Sequence, residues 1–138
     1  MSYLTNPYRY VADVFITATG GTITTDGDYK IHTFTSNGNF EVTDGAGDNL
    51  QVWYLVCGAG AGSSADNAGG AGAGAFRTNG TIDFVVAIQN YTITVGTGSG
   101  GTTSGGGDPA NGNSSTFSTI TSDGGGFGGR DDSGSSTG

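Results

Sequence analysis

Two long stretches of this chain have almost no side chains to bury. The first, GAGAGSSADNAGGAGAGA over residues 58–75, follows directly on the apolar run LQVWYLVC at 50–57. The second, GTGSGGTTSGGGDPANGN over 96–113, follows the strand-like NYTITV. A third glycine-rich run, SDGGGFGGRDDSGSSTG, occupies 122–138. Glycine supplies 29 of 138 residues, about three times its usual share, and it loses more freedom on ordering than any other residue. A fold for this chain must therefore explain why sheet-forming segments run repeatedly into bare backbone.

What remains for a core is modest. Apolar residues make up 33% of the chain and cluster in its first two thirds, which suits one domain with a tail. Charged residues reach only 12%, against ~25% in ordinary soluble domains. Solubility must come from Ser, Thr, Asn and exposed backbone. Four Lys and Arg stand against twelve Asp and Glu, for a net charge of −8. Arg9, Lys30, Arg77 and Arg130 are dispersed, so neither nucleic acid nor an anionic membrane surface is an expected partner. No apolar run approaches the ~20 residues of a membrane span, and MSYLTNPYRY lacks the basic start and apolar stretch of a secretory signal. No membrane insertion is expected. The single Cys57 precludes an internal disulfide. At the end of the most apolar run it is expected to be a buried, inert thiol.

Along the chain the periodicity is that of strands. NPYRYVADVFITATG carries aromatic and β-branched residues without a clean period and reads as an arm or a first strand. From Thr22, short apolar runs alternate with turn residues. Asp26-Gly27 and Asn37-Gly38 are read as tight hairpin turns. Tyr29, Ile31 and Thr33 share one face, and Lys30, His32 and Phe34 the other. Phe40 and Val42 mark a short partner strand. The run 50–57 is apolar on both faces, which places it at the centre of two packed layers with Trp53 in the core. Tyr91, Ile93 and Val95 against Thr92 and Thr94 form the cleanest alternation in the chain. Phe117 and Ile120 give a last, short apolar signal. No segment carries a helical apolar stripe. The fold class is all-β: an antiparallel β-sandwich of short strands with long glycine-rich surface loops and no substantial helix.

Four physical roles compete for the glycine stretches. A phosphate cradle is excluded, because no Gly-Lys-Ser/Thr triplet is present and Ser63 stands where a dinucleotide fingerprint needs its third glycine. Flexible Gly/Ser linkers suit the C-terminal run and are tolerable elsewhere, since closure cost grows slowly with length. Threefold polyproline-II-like chains packed side by side would satisfy each other laterally. The strict Gly/Ala alternation around Ala59, Ala61, Ala71 and Ala73 breaks a threefold pattern and would also suit a flat sheet. Finally, bare loops beside aromatics can serve as an adaptable contact surface. Such loops are expected to become ordered when neighbouring copies press on them.

The stretch ATGGTITTDGDYKIHTFTSNGNFEVTDGAGDNLQVWYLVCGAGAG resembles the glycine-rich domain of bacteriophage tail and tail-fibre proteins. The resemblance runs through Gly20-Gly21, YKIHTF at 29–34, GNFEV at 38–42, and the apolar strand breaking into glycine at 52–62. It continues with YTITVGTG at 91–98 and GNSSTF at 112–117. The order is kept over about 100 residues. The resemblance implies a component of a phage particle and, more weakly, attachment to a host cell surface.

Catalytic chemistry finds little support. His32 is the only histidine, no Gly-x-Ser-x-Gly elbow accompanies it, and it reads as a packed or surface residue. The Asp pairs in DGD (26–28) and DGAGD (44–48) are ordinary turn residues without the spacing or closing Glu of a calcium loop. One glutamate, Glu41, does not make a glycosidase pair. The chain is read as no enzyme, with no cofactor and no metal. Tyr3, Tyr8, Tyr10 and Phe127, which lie in segments hard to bury alone, are the candidate interaction residues.

The sequence thus divides into an N-terminal arm or first strand (1–19), a glycine-rich β-sandwich domain (20–123) and a flexible Gly/Ser-rich tail (124–138). The expected function is an assembly or scaffold module of a virion tail or fibre. Its partners would be other virion proteins and copies of itself, in a particle assembled in the host cytoplasm. The alternative is a receptor-binding tip that recognises host surface glycans, and a more distant one is an extracellular glycine-rich fibre protein.

Overall fold

A computed structural model of the chain describes residues 16–45, 51–65, 68–80, 84–103 and 107–129, to which all structural statements refer. They form eleven short strands and no helix. In chain order these are β1 (Thr17–Thr19), β2 (Thr22–Asp26), β3 (Tyr29–Thr33), β4 (Gly38–Asp44), β5 (Gln51–Val52) and β6 (Leu55–Cys57). There follow β7 (Phe76–Thr78), β8 (Phe84–Val85), β9 (Asn90–Thr94), β10 (Ser115–Phe117) and β11 (Ile120–Ser122). One five-stranded antiparallel sheet has the order β1-β4-β9-β10-β11, and three antiparallel ribbons pair β2 with β3, β5 with β8 and β6 with β7.

The β5–β8 and β6–β7 ribbons supply the layer that packs on the large sheet, as in a sandwich. Alternation decides which residues meet. Phe40 and Val42 of β4, Tyr91 of β9 and Phe117 of β10 point inward from the sheet and are buried. Val56 and Val86 meet them, with Val52, Tyr54 and Phe84 partly buried against the same cluster. Phe117 is the hub: its ring lies 5.0 Å from Phe84, 5.8 Å from Tyr91, 5.9 Å from Tyr54 and 6.2 Å from Phe40. Tilted and edge-on pairs at such separations add to the burial energy of the rings. The Tyr91 hydroxyl accepts a hydrogen bond from the Ala87 N–H at 2.7 Å.

Asp26-Gly27 opens a two-residue turn between β2 and β3, with Gly27 at φ 56°. Asn37-Gly38 makes no hairpin. β4 pairs with β1 and β9, not with β3, and Asn37 instead accepts the Val95 N–H through its side chain at 2.8 Å. Nor does the described part of the apolar run, residues 51–57, lie between two layers. Val52, Tyr54 and Val56 face the core, while Trp53, Leu55 and Cys57 alternate with them on the outside and are exposed. Both Trp53 and Cys57 are therefore surface residues. Alternation told of two apolar faces, but the fold covers only one.

The described parts of the glycine stretches are not free surface loops. Strands continue into them without a turn: β6 into 58–63, β9 into 96–102 and β11 into 123–129, while 69–75 leads into β7 and 111–114 into β10. The extended tracts hydrogen-bond to one another. From tract 58–63, the N–H groups of Gly58 and Ala61 donate to Ala75 and Gly72. Its carbonyls at Ala59 and Gly62 accept from Gly125 and Gly128, and those at Gly60 and Ser63 accept from Ser99 and Thr102. Each neighbour is thus met every third residue, on a separate side, at N···O separations of 2.7–3.2 Å. That is the geometry of a threefold extended chain of the polyproline II kind, here satisfied laterally by other tracts. The same step of three links Gly69, Gly72 and Ala75 as donors to Gly129, Gly126 and Asp123. The Gly/Ala alternation does not break the pattern, because glycine is needed only where another backbone lies against the Cα.

These bonds run between the two layers as well as within them. In the strand half, side chains hold the layers apart, at ~10 Å in an ordinary sandwich. In the glycine half the layers close to direct backbone contact. The tracts find hydrogen-bond partners in each other within one chain. Residues 124–129, which the sequence assigns to the tail, lie inside this bundle.

Candidate contact surface

Among the described residues, the outer face of the β5–β6 run gathers several of the exposed large apolar side chains. Strict alternation places Gln51, Trp53, Leu55 and Cys57 on it. Cross-strand pairing adds Val85 opposite Gln51, Thr78 opposite Leu55 and Phe76 opposite Cys57, since directly opposed residues of an antiparallel pair share a face. The side chains remain 76% (Trp53), 69% (Phe76), 66% (Leu55) and 58% (Val85) exposed. Tyr29, 63% exposed, comes from the β2–β3 turn and stacks on Trp53 with ring centroids 5.9 Å apart and planes inclined by 25°.

Trp53 is held by its backbone. Between β5 and β6 the ladder is interrupted, and Asn79 fills the interruption with its side-chain amide. Its Oδ1 accepts the Tyr54 N–H and its Nδ2 donates to the Val52 carbonyl, each at 3.2 Å. The amide thus replaces a strand partner on both sides of Trp53, and the indole is presented outward from a fixed main chain. At those rings the strip is uncharged. Asp26, opposite Tyr29 in the β2–β3 ladder, stands at one end. Arg77, between Phe76 and Thr78 on β7, pairs with the buried Val56 and so belongs to the opposite face of that ribbon.

A second surface feature is a polar hollow of about 290 Å³ beside the segment 33–39, walled by Gly20, Gly21, Thr22 and Phe34. Gly20 and Gly21 have φ 106° and 65°, and both lie so close to the backbone of Asn39 and Thr33 that a Cβ would overlap it. His32 belongs to this corner: its Nδ1–H donates to the Gly20 carbonyl at 2.8 Å and its ring meets Phe40 edge-on at 5.0 Å. It packs and fastens a turn. Among the described residues no three His, Cys, Asp or Glu side chains cluster as metal ligands, and no helix is long and apolar enough to cross a membrane.

Of the interaction residues read from the sequence, Tyr3, Tyr8 and Tyr10 lie outside the described residues. Phe127 sits on tract 123–129 with its side chain exposed, and its N–H donates to the Asn111 Oδ1 at 3.0 Å. It is an element of the glycine bundle. The residues that form the apolar strip were visible as a two-faced apolar run, but not as a surface, because alternation does not say which face a second layer covers.

Strands that pass into a bundle of interlocked threefold tracts define a glycine-rich β protein. A profile for a glycine-rich domain matches residues 33–138, and the chain belongs to that family. No curated protein and no solved structure matches it. The match takes in the strip from Gln51 to Val85 and all five tracts, and it begins after Tyr29.

Proposed function

We propose that this chain is a structural module of a bacteriophage particle, in the tail or its fibres, where it acts in assembly and carries no catalysis. The observation that supports it best is the bare strip: a small body laced by backbone hydrogen bonds leaves Trp53, Leu55, Phe76 and Tyr29 facing water. Taking ~150–250 Å² for each aromatic side chain, the three rings alone expose on the order of 300–500 Å². That equals the largest patch on a typical monomer, ~300–600 Å², before Leu55 and Val85 are added. The resemblance of 29–34, 52–62 and 91–98 to phage tail glycine-rich domains supplies the setting: other virion proteins and further copies as partners, in a particle assembled in the host cytoplasm.

A receptor-binding tip that takes host surface glycans is the second reading. The stacked Tyr29–Trp53 pair favours it, because sugar rings pack on exposed aromatic faces. The two part in a phage carrying Trp53→Ser. An assembly module predicts incomplete or unstable particles by electron microscopy. Intact particles that fail only to adsorb to cells would overturn it in favour of the tip.

A further inference from the structure

We infer that the glycine bundle has an open side that seats a further tract, and that its occupant is an extended glycine-rich segment of a different polypeptide. The inference goes beyond the assembly reading, which rests on the Trp53 face, and neither falls with the other. A trans peptide points its C=O and N–H in opposite directions, and a threefold chain turns each successive peptide by a third of a turn. Such a tract therefore offers acceptors and donors alternately in six directions. Around tract 58–63, four consecutive directions are filled. The Gly58 and Ala61 N–H groups meet 69–75, and the Ala59 and Gly62 carbonyls meet 123–129. The Ala59 N–H meets Asn113 of 111–114, and the Gly60 and Ser63 carbonyls meet 96–102. These four neighbours are bonded to each other in that order, through Gly72 to Gly126, Gly112 to Gly125 and Asn113 to Thr97. The two directions left lie side by side, between 96–102 and 69–75. They carry the Gly60 N–H and the Gly58 and Ala61 carbonyls, which meet no backbone partner among the described residues.

Gly60 marks the same sector by what it lacks. A Cβ on Gly58 would overlap the Asp123 carbonyl and one on Gly62 the Gly100 carbonyl. One on Gly60 would meet nothing closer than the Gly72 oxygen at 3.9 Å. Gly60 is exposed and has no left-handed φ. Nothing among the described residues asks for glycine there, and alanine would favour folding by reducing the freedom of the unfolded chain. A backbone that comes to lie against Gly60 explains why it is bare. Unpaired peptide groups along an extended segment are a template for pairing, and the four seated tracts show what this one accepts. Only a segment with glycine at the contact can approach to bonding distance, since side chains would hold the backbones apart. A second copy is the poorer occupant. Its described tracts are engaged in its own bundle, and each copy carries a net charge of −8.

Amide NMR on the full chain, titrated with a soluble peptide of repeated Gly-Gly-Ser, tests this. The Gly60 resonance is expected to shift saturably, and its N–H to exchange with water about tenfold more slowly or better. Gly58, Ala61 and Gly72, whose N–H groups are already bonded, should keep their rates. The same peptide with alanine in place of glycine should bind at least tenfold more weakly. Gly60→Val should abolish the response with unchanged thermal melting, and Gly60→Ala, a smaller plug, takes its place if the valine chain does not fold. No saturable shift up to the solubility limit of the peptide, an equal response to the alanine peptide, or binding indifferent to the Gly60 changes overturns the inference. A Gly60 N–H already protected in the free chain also overturns it, since the seat is then filled from within. Self-association that Gly60→Val removes, read by sedimentation velocity, would put a second copy in the seat and overturn the occupant. If the peptide does not bind and Trp53→Ser still spoils the particles, the seat is overturned and the assembly reading stands. Peptide binding at Gly60 with whole Trp53→Ser particles overturns the assembly reading and keeps the seat.

Discussion

At Gly124 the space for a side chain is already filled. A Cβ built there overlaps the Gly112 carbonyl oxygen, and one built on Gly58 overlaps that of Asp123. Neither glycine has the left-handed φ that favours the residue for conformational reasons, so what it supplies is the approach of another backbone. Gly126 and Gly70, in the same bundle, have open space at that position. Gly124→Ala and Gly58→Ala should therefore cost about 3 kcal/mol or more, at the upper end of overpacking losses. Gly126→Ala should stay within ~0.5 kcal/mol, like an ordinary surface change. Urea unfolding of the three variants checks the contrast. Asn79 is the other residue whose role is specific. Asn79→Ala leaves the Val52 carbonyl and Tyr54 N–H without their partner and should cost ~1–3 kcal/mol. Asn79→Asp keeps the acceptor but loses the donor, and should also destabilise.

Each strand that enters the glycine half needs a fastening where side-chain packing ends. At β10 and β11 this is a pair of buried serines directly opposite each other, Ser115 and Ser122. The Ser122 hydroxyl donates to the Ala75 carbonyl at 2.7 Å, and the Ser115 Oγ accepts the Gly96 N–H at 2.9 Å. Each ties the large sheet to a different tract. Ser122→Ala removes one of the two hydrogen bonds to the Ala75 carbonyl, which keeps that of the Gly58 N–H, and should lower stability by about 1 kcal/mol; the loss should appear in amide exchange of 69–75 before it appears in β4 or β9. The strands themselves were legible in the sequence: Tyr91 to Val95 and Phe40 to Val42 alternate as they are buried, and Asp26-Gly27 turns where it should. Asn37-Gly38 misled because its dipeptide suits a hairpin, whereas Asn37 bonds across to Val95. The bundle of tracts was legible only as one of four competing readings. Glycine has no side-chain period to read, and the partners of Gly58, Ala75 and Gly125 are far apart in the chain.

Over the whole molecule, the two halves solve the same problem with different means. Where side chains exist, two layers enclose Phe117 and its aromatic neighbours. Where they do not, the same two layers close until their backbones hydrogen-bond. Glycine's usual cost in freedom is offset by lateral bonds that satisfy peptide groups three directions at a time. Trp53 and the strip lie on the outer layer of the side-chain half, so assembly through that face would leave the bundle unchanged. It follows that the bundle must be folded in the single chain. Amide hydrogen exchange, read residue by residue on the Trp53→Gln chain at a dilution where it sediments as a monomer, tests that most directly. The N–H groups of Gly58, Ala61, Gly72, Gly125 and Gly128 should exchange as slowly as those of β9. Exchange of those five at free-chain rates, with β9 still protected, would contradict the account.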